Sequence, residues 1–468
     1  MLTFNTKKMK NLKYILGIVV MLIFTSCDDY LDIEPKGQVI LAKVEEYNNI
    51  FNDVNFLHGQ YFIGPESQVT DEYWPFNEQN IIDNTRPVET ANFLWDESAD
   101  RVSNQLTDFF YDFAYQRISR YNIILQEVLD AKGNDADKKE VFAKAKVLRA
   151  FNHFMLVNTY ATHYDASTAA SDKGVFLVKE FDLEQALVQS TVQEAYDFIL
   201  EDINAAIPDL LDVTLNPMHP NKAFGYALLA KVNLFMKNFP AALEAANQSL
   251  AFNDVIFDMV AWHNLGSPSF PVQKNPAVEF DTPENLYYTG GQWGRPSGLV
   301  GQVAIDRFGM GDIRLDDFYA VPWWIPNPNF MLWFNNDYKH NTGGIKTTEV
   351  LLMKAECLAR ADDVAGAMSI VNALRVKRIL PLNYVDLTAA NSTEAVELVI
   401  EERARELVNT QNRFWDMRRL NTETAFAKTY TRDFNSQTYS IAPDSHIFIM
   451  PFAKTATDRN ESLQQNTK

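Results

Sequence analysis

The chain has 468 residues, with 61 acidic against 42 basic side chains and a formal charge of −19. So acidic a body lacks the basic face that nucleic-acid phosphates require, and anionic lipid would repel it. An aromatic content of 13% excludes a disordered chain, and two cysteines are too few for a disulfide framework, which a chain of this length does not need.

The first predicted element is an export signal. Lys7, Lys8, Lys10 and Lys13 form a basic n-region, and Tyr14 to Phe24 is a short apolar run. That run falls short of the roughly 20 residues of a bilayer-spanning helix and suits a signal-peptide h-region. Thr25 and Ser26 are small and precede Cys27, the arrangement of a lipoprotein signal peptidase site. The Cys27 thiol would take a diacylglycerol and become the mature N-terminus. The alternative is an ordinary secretory signal beside an unrelated cysteine, and Phe24 stands where Leu is usual. Either Met1 or Met9 serves as initiator. Residues 1–26 are thus expected to be the signal peptide and residues 27–38 a lipidated N-terminus and tether with Pro35 and Gly37. Cleavage removes four lysines and no acid, moving the charge to −23. Membrane contact is expected through the lipid anchor only.

Residues 39–468 read as one domain, mostly helical by period. Asp108–Ala131 carries Phe109, Phe113, Ile118, Tyr121, Ile124, Leu125 and Val128 at three- and four-residue spacing. Lys139–Tyr160 has a broader stripe, the mark of a well-buried helix. Gln193–Ile207 follows, stopped by Pro208. Two later segments match each other: in 224–250 Ala230 is followed by Phe239, Ala242 and Ala246, and in 347–376 Ala355 is followed by Val364, Ala367 and Val371 at the same offsets. Small residues so placed around a short turn let antiparallel helices pack closely, as in a tetratricopeptide pair; the alternative is two unrelated alanine-containing hairpins. Residues 139–207 suit a further pair split by an insertion, and Glu397–Leu420 a last helix. Residues 58–95 and 252–344 read as loops, the latter holding five of the eight tryptophans: Trp262, Trp293, Trp323, Trp324 and Trp333. Loops this long are normally functional.

Motifs for catalysis are scarce. The seven histidines show no metal-ligand spacing, and no nucleophile elbow or phosphate loop occurs. Carboxylates are abundant but none is marked as a catalytic pair; Glu401, Glu402 and Glu406 read as a helix face pairing with Arg403, Arg405 and Arg413. Neither catalytic residues, metal ligands nor a cofactor are therefore expected, and Cys357 reads as core. What remains is aromatic. A sugar ring stacks its C–H face on Trp or Tyr while polar neighbours bond its hydroxyls. Tyr73, Trp74 and Trp293, the last flanked by Gly290, Gly291 and Gly294, are the candidate ligand-binding residues, with a role in the core as the alternative for each.

Taken together, the segments resemble the SusD/RagB family of surface lipoproteins, which pair with TonB-dependent transporters in the Bacteroidota. The resemblance runs from Cys27-Asp28-Asp29-Tyr30-Leu31-Asp32, whose aspartates resemble a signal for the outer face, through Arg120-Tyr121-Asn122 and Ala145-Lys146-Val147-Leu148-Arg149-Ala150-Phe151. It continues in Ala227–Val232, in Asp312 and Arg314, in Glu349–Glu356, and in Glu402–Leu407 with Arg413–Arg419. Ile449-Met450-Pro451 and Gln464-Gln465-Asn466 resemble the closing segment. Asn409-Thr410-Gln411-Asn412 departs from the usual Gly-His pair, and Pro-Gly-Tyr is missing after Asn466. The resemblance implies a mostly α, SusD-like fold, with tetratricopeptide-like helix pairs as scaffold and a loop-rich ligand-binding remainder. It further implies a lipid-anchored place in the outer membrane, exposed on the cell surface, and a SusC-like TonB-dependent transporter as partner. The ligand expected is a glycan; a peptide or other nutrient, or a purely protein-binding scaffold, are the alternatives.

Overall fold

The computed structural model describes residues 41–53, 57, 64–182, 184, 187–264, 282–289, 299–320, 333–334 and 341–467. Cys27, the signal and the tether lie outside them, as do Trp293, Trp323 and Trp324. Among the described residues, nine of the helices carry the architecture. They are α1 (Phe109–Glu127), α2 (Asp135–Tyr160), α3 (Val192–Ala206), α4 (Lys222–Phe235), α5 (Phe239–Phe252), α6 (Thr347–Arg360), α7 (Val364–Arg375), α8 (Ser392–Glu406) and α9 (Asn412–Asn421).

Polar caps set where these helices begin. Asp108 accepts from the Phe110 and Tyr111 amides, Asn134 from Asp137, Asn221 from Phe224, Asp363 from Gly366 and Asn391 from Glu394. Thr191 and Glu194 close a reciprocal capping box on α3, whose far end tightens into a 3-10 turn at Pro208. Each cap satisfies amides that a helix start leaves without a partner.

The helices pack as successive neighbours, α1 on α2, α2 on α3, α3 on α4, α4 on α5, α5 on α6, with α6 against both α7 and α8. The matched segments are true structural repeats. Both hairpins turn through three residues, Met236–Asn238 and Ala361–Asp363, and in both the second turn residue is left-handed (Lys237 φ 59°, Asp362 φ 67°). Ala230, Ala242 and Ala246 are fully buried, as are Ala355, Ala367 and Val371. The small side chains hold paired helices close, so added methylenes there would overpack the seam.

Two expectations need correcting. Glu397–Leu420 is not one helix: Asn409 takes φ 58°, and the chain turns between α8 and α9. Residues 64–95 are not loop: they hold a 3-10 turn (Pro65–Val69), strand β1 (Tyr73–Trp74) and the helices Glu78–Ile82 and Pro87–Leu94. These elements are too short for periodicity to reveal.

The remaining strands are β2 (Lys173–Phe176), β3 (Gln189–Thr191), β4 (Asn285–Tyr287), β5 (Leu299–Val300), β6 (Tyr319–Ala320), β7 (Trp333–Phe334), β8 (Ile345–Lys346), β9 (Tyr430–Phe434) and β10 (Gln437–Ile441). They form antiparallel two-stranded ribbons: β1 with β5, β2 with β3, β4 with β8, β6 with β7 and β9 with β10. Helices therefore supply the frame, and the ribbons decorate it. Among the described residues no helix is long and apolar enough to cross a membrane.

Candidate functional site

Buried ion pairs join the scaffold to the rest of the chain. Glu406, at the end of α8, is 4% exposed and accepts from Arg314 (3.1 Å), from Arg378 (3.0 and 3.1 Å) and from Lys346 (3.4 Å). Arg314 also binds Asp312 and Glu402, and Arg378 also binds Glu284 at 2.6 Å. Burial alone would disfavour the Glu406 carboxylate, but Arg378, Lys346 and Arg314 outweigh it and hold the group well below the usual range. A second chain of pairs runs from Lys231 to Glu349, Arg403, Asp416, Arg419 and Glu356, linking α4, α6, α8 and α9. A third joins Asp71 to Arg413 and Arg307, with Glu72 on Arg307 at 2.7 Å.

These pairs revise the reading of Glu401, Glu402 and Glu406 as a helix face pairing with Arg403, Arg405 and Arg413, of which the Glu402–Arg405 pair forms, at 2.9 Å. Glu402 is fully buried and bonds Arg314, Arg375 and Arg405; Arg413 crosses to Asp71 rather than to any glutamate of α8. Only Glu401 keeps to the rim, 3.9 Å from Arg307. Cys357 is core, its thiol pushed up to about 12 by burial. Among the described residues, no group of three or more His, Cys, Asp or Glu is placed to hold a metal ion.

Tyr73 and Trp74 were expected in open loops. Both lie instead in β1, paired with Val300 and Leu299, and are 4% and 8% exposed. The Tyr73 hydroxyl donates to Glu89 (2.7 Å) and the Trp74 indole to Glu78 (2.9 Å). Phe93 stands edge-on to both rings, and Phe434 to Trp74 at 5.9 Å. With their polar atoms engaged and their rings inside an aromatic cluster, these side chains are placed as core. Trp95 is buried too, its indole donating to the Val69 carbonyl.

The open surface lies elsewhere. A cleft of about 990 Å³ runs along α1, floored by Asp112, Tyr115, Gln116, Ser119 and Arg120. One wall is Phe176 and Val178 with Val188; the other is the C-terminal stretch Arg459, Asn460 and Ser462. Sequence-distant bonds fix both walls. Asn122 of α1 donates to the Val178 carbonyl, Arg149 to the Lys179 carbonyl, and the Ser462 hydroxyl to the Leu187 carbonyl at 2.6 Å. Arg149 is itself clamped on Asp202 through two bonds of 2.7 and 2.8 Å. Tyr111 and Tyr115 lie ring to ring at 4.8 Å, with the Tyr115 hydroxyl donating to the Phe176 carbonyl. Burial pushes the Asp112 carboxyl up from its usual range, against the pull of Arg459. Leu187 and Val188 also border a smaller cavity of about 480 Å³ lined by Lys179, Glu194, Asp197 and Glu201. The periodicity of α1 did not single out this face, because Asp112, Gln116 and Ser119 read as ordinary solvent-side residues.

Comparison with known proteins decides the family. Residues 29–234 match a family model described as starch-binding and associating with the outer membrane (SusD-like), and residues 333–468 match the SusD family model SusD_RagB. The chain belongs to the SusD/RagB family. A SusD-like protein of Formosa agariphila is 21% identical, covering 89% of this chain and 92% of its own. A SusD superfamily protein of Bacteroides thetaiotaomicron superposes with a TM-score of 0.70 at 15% identity, over 91% of this chain and all of its own. A SusD-like carbohydrate binding protein of Bacteroides vulgatus gives 0.62 at 15% identity, over 90% of this chain and 98% of its own. In this SusD/RagB chain, several of the described stretches that carry the resemblance supply the buried ion pairs and their supports. Asp312 and Arg314 bond each other, and Arg101 donates to the carbonyls of His446, Ile447 and Ile449. Asn466 donates to the Tyr160 and Met450 carbonyls, tying the closing segment to α2.

Proposed function

We propose that this SusD/RagB chain is a cell-surface lipoprotein that captures glycan and hands it to a SusC-like TonB-dependent transporter, binding its cargo without transforming it. The observation that carries this reading is the match of residues 29–234 to a starch-binding, outer-membrane-associating family. The likeness to a carbohydrate binding protein of Bacteroides vulgatus supports it. In this reading Cys27 bears the lipid, residues 27–38 are the tether, and Trp293, flanked by glycines, is a proposed stacking residue. The reading is tested by screening the full-length protein in detergent against neutral glycans, acidic glycans and peptides. Cationic peptides belong in the screen because the body is strongly acidic.

The anchor has its own test. Cys27→Ala should move the folded protein from the membrane fraction to the soluble fraction, because a diacylglycerol-borne anchor is the only membrane contact proposed. Membrane retention equal to that of the wild type would contradict lipidation at Cys27.

A further inference from the structure

We propose that the cleft along α1 is a binding site for a neutral glycan chain lying lengthwise on the helix, an inference that rests on the glycan-capture reading above. Asp112, Gln116 and Ser119 recur at spacings of four and three residues on one helical face and all line the cleft. Within the described residues the side chains of these three form no hydrogen bond or ion pair, so the carboxylate, amide and hydroxyl groups can serve a ligand. The ladder they form advances by roughly 5.4 Å per helical turn, a repeat that suits successive sugar rings presenting hydroxyls. Tyr115, Val178 and Val188 supply the apolar edge against which C–H faces can lie.

The charges of the cleft choose the class. The body is strongly acidic, yet the cleft sets Arg120 and Arg459 against Asp112 and Asp182, with no excess of either sign. Arg120 is moreover committed to Asp53 at 3.0 Å. A polyanionic glycan would meet one uncommitted cation and the field of the acidic body. A cationic peptide would be drawn by the acidic body, but inside the cleft it would meet Arg120 and Arg459 beside the two carboxylates. A polyhydroxylated neutral chain meets donors and acceptors without either penalty.

The experiment is affinity electrophoresis of the full-length protein in gels containing soluble starch, a β-glucan or a mannan, with polygalacturonate and a lysine-rich peptide as charged probes. Ser119→Trp fills the cleft from a partly exposed position on the helix, and Gln116→Ala removes one rung. Thermal melts confirm that both variants fold, and Gln116→Ala keeps the test alive should the Trp variant fail to. Retardation by a neutral glycan is expected for the wild type, abolished in Ser119→Trp and weakened about tenfold in Gln116→Ala. Unchanged retardation in both variants would overturn the site while leaving glycan capture standing. Binding of only polygalacturonate or the peptide would overturn the neutral class. A wild type that binds no glycan at all would sink the capture reading and this inference with it.

Discussion

Glu406→Ala is expected to destabilise the protein by about 3–5 kcal/mol at pH 7. The side chain is the shared acceptor for Arg314, Arg378 and Lys346, all nearly or fully excluded from water. Removing it leaves Lys346 without its carboxylate and reduces the compensation of two buried guanidinium groups, and uncompensated buried charge dominates the cost. The position also explains the size of the effect: Arg314 lies in the short helix Ile313–Phe318 and Lys346 in β8, so one carboxylate ties two separate segments to α8. The folded carboxyl lies well below the usual range. Its contribution is therefore fully present above the unfolded value of about 4.3 and is lost as the pH falls from there toward the folded value. Urea midpoints for wild type and variant should differ widely at pH 7 and draw together progressively as the pH falls below about 4.3. Equal midpoints at pH 7 would contradict this account of the network.

Trp74→Ala is expected to cost roughly 3–5 kcal/mol of stability while leaving the ligand affinity of the folded fraction intact. The ring packs against Phe93 and Phe434, and its indole N–H is engaged by Glu78. Truncation opens a cavity in the cluster formed with Tyr73, Ile81 and Leu299, and a close-packed interior relaxes only partly into such a gap. Thermal denaturation, paired with titration of any glycan that binds, separates the outcomes. An unaltered melt with lost affinity would return Trp74 to the ligand face.

The helical frame was legible because long helices write their period into the chain. The offsets shared by Ala230 and Ala355 mark two hairpins whose turns agree even in the left-handed residues Lys237 and Asp362. What stayed hidden had no period to read. β1 is two residues long, and the sequence around Tyr73-Trp74 gives no hint that Leu299 and Val300 cover it from the other side of the chain. The charges of α8 and α9 misled for a related reason: a buried Glu402 and a half-buried Glu401 look alike until Arg314 and Arg375 are brought in from elsewhere. The α1 cleft was missed because its walls come from Phe176, Val178 and Val188 and from Arg459, Asn460 and Ser462, remote in sequence from its floor.

Glycan capture by this chain is open to direct measurement, by isothermal titration of the full-length protein in detergent with neutral oligosaccharides, acidic oligosaccharides and peptides in parallel. The account predicts saturable binding of at least one neutral oligosaccharide, with the sugar recovered unmodified afterwards. Binding of peptides alone, or recovery of a cleaved sugar, would contradict it.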